Sequence, residues 1–148
     1  MEIKPIYYNK KDFLDLLLLA DEQEDMIDRY LERGEMFALS HQGKVVCVCV
    51  VTREGDGVYE IKNIATRPDH QRKGFGRRMV QFVLDHYKKD GKILLVGTGD
   101  SPLTIPFYER CGFSISYRVK DFFTTNYDHP IYEDGVLLRD MVYLKRDF

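Results

Sequence analysis

The amino-acid sequence predicts a mixed α/β fold of the α+β kind, built on one mixed sheet. Short apolar runs typical of strands alternate with segments of helical periodicity along the whole chain. The clearest helix, Arg72–Lys89, lies between the predicted strands Tyr59–Thr66 and Lys92–Gly97. A helix in that position implies a parallel crossover connection between the two strands. The predicted order of elements is β-α-α-β-β-β-α-β-α-β-β.

In the first half of the chain, the elements follow from apolar spacing and turn residues. Apolar residues three and four positions apart indicate two consecutive helices, and Gly34 ends the second. The dipeptide Gln42-Gly43 between two β-type runs is typical of a hairpin. The predicted elements are a strand through Ile3, Ile6 and Tyr8, a helix through Phe13, Leu14, Leu17 and Leu18, a helix over Asp21–Arg33, and the strands Met36–His41 and Lys44–Arg53.

In the second half, the helix Arg72–Lys89 carries one apolar stripe, and Gly91 lies just beyond its end. The nearly all-apolar strand that follows is typical of the middle of a sheet. Pro106 cannot lie deep inside a helix, so we expect the next helix to begin with Thr104 as its N-cap. The remaining predicted elements are the strand Phe113–Val119, a long loop over Asp121–Gly135 and the strand Leu137–Lys145.

Length and composition limit the possible classes of protein. The 148 residues are 44% hydrophobic and 31% charged, which predicts one globular domain over residues 1–148. A formal charge of −2 argues against nucleic acid or anionic lipid as a partner. No apolar run reaches the length of a membrane span, and the N-terminus lacks the pattern of a secretory signal. With three cysteines expected as free thiols, we predict a cytoplasmic protein.

The most informative segment is Gln71–Gly76, which fits the pattern Q-x-x-G-x-G. It connects a predicted strand to a predicted helix and is flanked by arginines and a lysine. Backbone N–H groups at such a junction, with the positive end of the helix dipole, suit a pyrophosphate. The glycines could instead only permit close packing of helix and strand. Neither a P-loop nor a dinucleotide fingerprint matches the spacing.

Two linked motifs resemble the GNAT superfamily of N-acetyltransferases. They are the segment Asn63–Pro68 followed by Gln71–Gly76 with its helix, and the segment Phe107–Phe113. The resemblance extends over residues 58–117. It implies a partly splayed sheet, acetyl-CoA as co-substrate without a metal, and direct transfer of the acetyl group to a primary amine in a ternary complex.

The same resemblance implies which residues bind the coenzyme. The main chain of Arg72–Arg77 would hold the pyrophosphate, and the strand residues 64–66 would pair with the pantetheine arm. Asp100 stands where family members often carry Asn; a carboxylate cannot donate a hydrogen bond, and Asp100 could instead cap the next helix. The predicted coenzyme-binding residues are Ile64, Ala65, Thr66, Gln71, Arg72, Lys73, Gly74, Phe75, Gly76, Arg77 and Asp100.

Two side chains are candidates for proton transfer. Tyr108 stands where the family often places the acid that protonates the departing thiolate, and a phenol with a pKa of about 10 keeps its proton at neutral pH. The alternative for Tyr108 is an aromatic side chain packed under the sheet. Glu60 precedes Gln71 by a separation found in members with a strand glutamate as base. The alternative for Glu60 is an ion pair with a lysine on the strand.

The aromatic and acidic segment 121–135 has two possible roles. Its carboxylates and rings could hold a cationic amine, or they could form the contact of a homodimer. We predict a small-molecule or peptide amine as the acceptor. A catalytically silent acyl-CoA-binding or interaction module is the alternative for the whole protein. The histidines, including His129, are scattered and do not predict a metal site.

Overall fold

A seven-stranded sheet with helices on both faces makes up most of the computed structural model, which describes all 148 residues. The strands are β1 (Glu2–Ile6), β2 (Glu35–His41), β3 (Lys44–Gly55), β4 (Val58–Thr66), β5 (Ile93–Gly99), β6 (Ser114–Val119), β7 (Tyr132–Glu133), β8 (Val136–Leu137) and β9 (Met141–Asp147). The helices are α1 (Leu14–Ala20), α2 (Glu24–Ile27), α3 (Phe75–Tyr87), α4 (Thr104–Arg110) and α5 (Phe122–Asn126).

The strand order in the large sheet is β1-β2-β3-β4-β5-β9-β6. Every neighbouring pair is antiparallel except β4 and β5, which run parallel. Helix α3 connects these two strands, so the predicted parallel crossover is confirmed. The predicted hairpin β2–β3 is confirmed as well, with Gln42 and Gly43 both at positive φ in its turn. The mixed α+β fold class therefore holds.

Alternating side chains on the central strands supply a core on each face of the sheet. On one face, α3 and α4 pack over a cluster that includes Met79 and Phe37. On the other, α1 and α2 pack over a smaller cluster that includes Leu17 and Val48. All three cysteines are free and buried, as the sequence predicts. No helix of the chain is long and apolar enough to cross a membrane.

The predicted helix over Asp21–Arg33 is much shorter in the structure. Only Glu24–Ile27 is helical, and the chain then turns until Gly34, although Tyr30 and Leu31 remain buried. The Lys10 ammonium explains how this irregular backbone is tolerated. Its Nζ lies 2.8 Å from the Leu31 carbonyl and 2.7 Å from the Gly34 carbonyl and donates to both, so two backbone acceptors of this turning segment are satisfied.

The predicted loop over Asp121–Gly135 contains ordered elements that its sequence does not reveal. It contains α5 and β7, and β7 pairs with β8 just beyond the predicted loop; the predicted order of elements lacks all three. These short elements are held by a small apolar cluster of Phe123, Ile131 and Leu138. The last strand consequently begins later than predicted, at Met141.

Candidate active site

The sheet opens between β4 and β5. The two strands pair only from Val58 opposite Ile93 to Ile61 opposite Val96, and both continue beyond that point. A cavity of about 550 Å³ lies at the opening. Its walls include the free ends of both strands, the link between α1 and α2, and the segment that carries α5 and β7. The predicted splay of the sheet is therefore present, and it creates a concave site lined by residues of both predicted motifs.

A bulge at Lys62 directs the end of β4 into this site. Asn63 pairs with Val50 and Ile61 with Val51, so Lys62 has no partner on β3. Because of this extra residue, Ala65 lies on the opposite face of the sheet from Tyr59 and Ile61. Ala65 therefore packs in the core under α1 and α2. The three strand residues that sequence analysis predicts for the pantetheine arm all line the cavity: Ile64, Ala65 and Thr66.

The loop before α3 presents a row of free backbone donors. The N–H groups of residues 72–77 donate no hydrogen bond within the chain, and the first intrahelical bond runs from Arg78 to Gly74. Arg72 and Gly74 have φ angles of 62° and 87°, which alternate with ordinary backbone and form an anion-binding nest. The Gln71 side chain fixes the loop to β4, because its Nε2 donates to the Thr66 carbonyl at 3.1 Å.

The side chains around this loop strengthen its preference for an anion. Arg72, Lys73, Arg77 and Arg78 are exposed, and none takes part in a salt bridge or hydrogen bond within the chain. Unpaired cations at a helix N-terminus oppose its dipole, so a bound anion would relieve that repulsion. Phe75 is buried and anchors the helix in the core.

Gly76 lets the start of α3 lie close to α4. A Cβ at this position would meet Phe107 Cζ at 3.3 Å. The glycine pair in the motif thus has two separate uses, a positive φ at Gly74 and a close approach at Gly76.

Tyr108 lies in α4 and lines the same cavity. It is only 7% exposed, between the rings of Phe107 and Phe113, and its hydroxyl has no hydrogen-bond partner within the chain. Burial, reinforced by nearby acidic groups, raises the pKa of its phenol. The hydroxyl therefore carries a proton at neutral pH and is available to a ligand. Pro106 lies in the first turn, as expected, but Leu103 rather than Thr104 is the N-cap.

Glu60 does not line the cavity. It is buried behind Lys62, whose Nζ lies 3.0 Å from the Glu60 Oε2 atom. Burial raises the pKa of the Glu60 carboxyl, and the Lys62 ammonium opposes that effect. The lysine pairing that sequence analysis left open as an alternative is thus present, and a catalytic role for Glu60 stays a prediction.

Asp100 is also outside the cavity, because its carboxylate pairs with Arg118 at 2.8 Å on the surface. Its neighbour Ser101 is buried and accepts a hydrogen bond from the Leu103 N–H at the start of α4. Ser101 thus accepts a backbone N–H just before α4, but neither Asp100 nor Ser101 is the N-cap of that helix. Coenzyme binding by Asp100 stays a prediction.

Two cavity carboxylates were not singled out by sequence analysis. Asp21 accepts hydrogen bonds from the Tyr30 and Tyr127 hydroxyls at 2.9 Å and 2.6 Å. Glu133 lies on β7 and accepts one from the Ser101 hydroxyl at 3.1 Å. The acidic character of the segment 121–135 is the only sequence signal for Glu133. No sequence signal indicates Asp21, because its position falls within the helix predicted over Asp21–Arg33.

Comparisons with known proteins agree with this geometry. Residues 4–113 match the model of the acetyltransferase (GNAT) family. An uncharacterized N-acetyltransferase of Bacillus subtilis, YvbK, is 39% identical over 138 residues, which are 92% of this chain and 89% of that protein.

Two solved structures share the whole fold. A GNAT family acetyltransferase from Elizabethkingia anophelis with acetyl-CoA bound has a TM-score of 0.94 at 33% identity, covering 99% of this chain and 97% of its own. A Bacillus subtilis acetyltransferase in complex with CoA has a TM-score of 0.91 at 36% identity, covering 99% and 98%. The chain described here belongs to the GNAT family of acetyltransferases.

Proposed function

We propose that this acetyltransferase transfers the acetyl group of acetyl-CoA to a primary amine by direct attack in a ternary complex. One observation carries the proposal: the open edge of β4 and the Tyr108 side chain line one opening of the sheet, and the free N–H groups of residues 72–77 come directly after Gln71, which lines it too. These three features suit, in order, a diphosphate, an extended amide-containing arm and a leaving sulfur. Acetyl-CoA contains all three groups in that order.

The proposed reaction uses residues of this chain at each polar step. The amine nitrogen attacks the thioester carbonyl, and an N–H of the β4 segment 64–66 stabilises the oxygen that becomes negative. The carbon–sulfur bond then breaks, and the Tyr108 hydroxyl gives its proton to the thiolate. Because both substrates are held side by side, positioning supplies much of the rate.

The amine must lose a proton before or during attack. A primary amine with a pKa near 10.4 is about three units from neutral at pH 7.4, which costs roughly 4 kcal/mol. Glu60 is the acceptor of this proton predicted from sequence, with a water chain as the alternative, and the ion pair between Glu60 and Lys62 favours the water chain. Glu60 does not line the cavity, whereas its ion-pair partner Lys62 does, so a route from the amine to Glu60 has to include water or movement of Lys62.

The experiment that tests the proposed function is an acetyl-CoA-dependent thiol-release screen over a library of amines, with Tyr108→Phe as the control enzyme. We expect release with at least one amine and a strong loss in the variant. Tight coenzyme binding without release for any amine would instead indicate the silent acyl-CoA-binding module. The single domain over residues 1–148, a homodimer and a cytoplasmic location stay predictions.

A further inference from the structure

Residues 121–138, which we name the cap segment, form one wall of the cavity. Three contacts join the cap segment to the link between α1 and α2. The Tyr127 hydroxyl donates a hydrogen bond to the Asp21 carboxylate at 2.6 Å, and the Asp128 N–H donates one to the Gln23 side chain at 3.0 Å. The His129 Nε2 atom lies 3.9 Å from the Glu22 Oε2 atom. These contacts hold together two segments that both line the cavity.

The cap segment is also anchored from within. The buried side chains of Phe123, Ile131 and Leu138 pack on one another, and the Leu138 N–H donates to the Ile131 carbonyl at 2.8 Å. Phe123, Ile131 and Leu138 also line the cavity, so the cap forms a wall of the site. An extended polypeptide would have to break the contacts to the α1–α2 link in order to pass.

Negative charge dominates the lining of the cavity. Asp21, Glu22 and Glu133 line the cavity, whereas Lys62 is its only lining cation and is paired with Glu60. Asp21 is already engaged by two tyrosine hydroxyls. Glu133 accepts only one hydrogen bond, from Ser101, through its Oε1 atom. Its other carboxylate oxygen has no partner within the chain and is therefore free to accept from a ligand.

Tyr108 gives independent support for a ligand near Glu133. The Tyr108 side chain is more than nine-tenths buried and lines the same cavity, and its hydroxyl lacks a partner within the chain. The Glu133 charge is close enough to contribute to the raised pKa of Tyr108. An amine held by Glu133 would consequently lie near the group proposed to protonate the leaving sulfur.

We propose that the acceptor is a small cationic amine whose ammonium group is held by Glu133, and that the closed cap segment excludes the N-termini of polypeptides. This inference rests on the proposed function, because it assigns the acceptor within the same site. It narrows the acceptor from any primary amine to compounds that fit beside the thioester in about 550 Å³.

The size limit is tested with matched acceptors that carry the same reacting amine. Amino-acid amides are compared with hexapeptides that begin with the same residue, and kcat/KM is measured for each pair. We expect each accepted amide to exceed its hexapeptide at least tenfold. Equal or higher kcat/KM for the hexapeptides would overturn the inference and leave the acetyltransferase assignment intact.

The charge contact is tested with Glu133→Gln against Asp134→Asn, which removes a charge from the neighbouring exposed turn residue outside the cavity. We expect Glu133→Gln to raise the KM for a small amine at least tenfold with an unchanged Kd for CoA, and Asp134→Asn to change neither. An unchanged KM in Glu133→Gln would contradict the proposed contact.

A binding measurement keeps the inference testable if no amine is acetylated. Calorimetric titration of the small amines into the complex of the protein with CoA should detect binding that Glu133→Gln weakens at least tenfold. Such binding without turnover would reject the proposed function and support the contact. Equal binding to wild type and Glu133→Gln would reject the contact itself.

Discussion

Glu60 and Lys62 form an ion pair across the bulge of β4, with 3.0 Å between Oε2 and Nζ, and only the lysine reaches the cavity wall. This relationship predicts a mild kinetic effect for Glu60→Gln. The amide oxygen can still accept a hydrogen bond from Lys62, so we expect kcat to fall less than tenfold and the free energy of unfolding to fall by about 1–2 kcal/mol.

Steady-state kinetics and urea denaturation measure these two effects. Glu54→Gln is the matched control, because the Glu54 Oε1 atom lies 3.9 Å from the Lys62 Nζ atom. Like Glu60, Glu54 does not line the cavity. A loss in kcat above a hundredfold for Glu60→Gln alone, with KM unchanged, would assign the base to Glu60 after all.

Tyr108→Phe removes a hydroxyl that has no partner within the chain, so the fold should be almost unaffected. Loss of a general acid typically costs 10²–10⁴ in rate, and we expect kcat to fall at least a hundredfold while the Kd for CoA stays the same. The control is Tyr59→Phe, which loses a hydrogen bond to Asp90 at 2.8 Å, far from the cavity lining. Full turnover in Tyr108→Phe would remove Tyr108 from the mechanism.

Gly74→Ala tests whether the loop over residues 72–77 binds the diphosphate. Gly43→Ala, in a turn with a similar positive φ, is the control. Gly74 and Gly43 have φ angles of +87° and +76°, and an added Cβ meets no atom within 4 Å at either position. Each substitution to Ala should therefore cost about 1–2 kcal/mol of stability through backbone strain alone. Calorimetry should show at least a tenfold weaker Kd for CoA in Gly74→Ala and an unchanged Kd in Gly43→Ala; equal affinities would contradict the loop assignment.

Asp21→Asn should alter how stability depends on pH. Burial raises the pKa of Asp21 above its ordinary 3.8, although the tyrosine hydroxyls oppose this effect. The folded state thus binds the proton more tightly than the unfolded state, and stability contributed by Asp21 is lost as pH rises through its folded pKa. An Asn keeps an acceptor for the tyrosines but has no charge.

We expect the stability of Asp21→Asn relative to wild type to increase between about pH 4 and pH 7, as measured by urea unfolding. Asp134→Asn at the exposed turn should show no such trend. A relative stability of Asp21→Asn that stays flat or decreases over this range would refute the predicted direction.

Local sequence signals predicted the sheet and the coenzyme side of the site because the determinants are contiguous. Gln42-Gly43 marks its hairpin without help from distant residues, and Gln71–Gly76 places donors, glycines and a helix start within one short segment. Helix α3 nevertheless begins at Phe75, three residues later than its apolar pattern indicates, because Arg72 and Gly74 adopt positive φ.

The sequence indicated the segment 121–135 as a possible amine-binding region, but its arrangement escaped prediction because it depends on contacts between distant parts of the chain. Tyr127 meets Asp21 across 106 positions, and Lys10 satisfies carbonyls at Leu31 and Gly34 so that a helical pattern can end early. Glu60 shows a second limit. Its spacing from Gln71 resembles that of a base in some family members, but the spacing does not show that the carboxylate pairs with Lys62 and does not line the cavity.

The gap between β4 and β5 leaves two bare strand edges in the middle of the molecule, where most sheets are continuous. A pantetheine arm inserted there would complete the sheet like an extra strand. A ligand at a hundred times its Kd adds about 2.7 kcal/mol to folding stability, a large share of the total for a small protein. The melting temperature of this enzyme should thus rise with the concentration of acetyl-CoA.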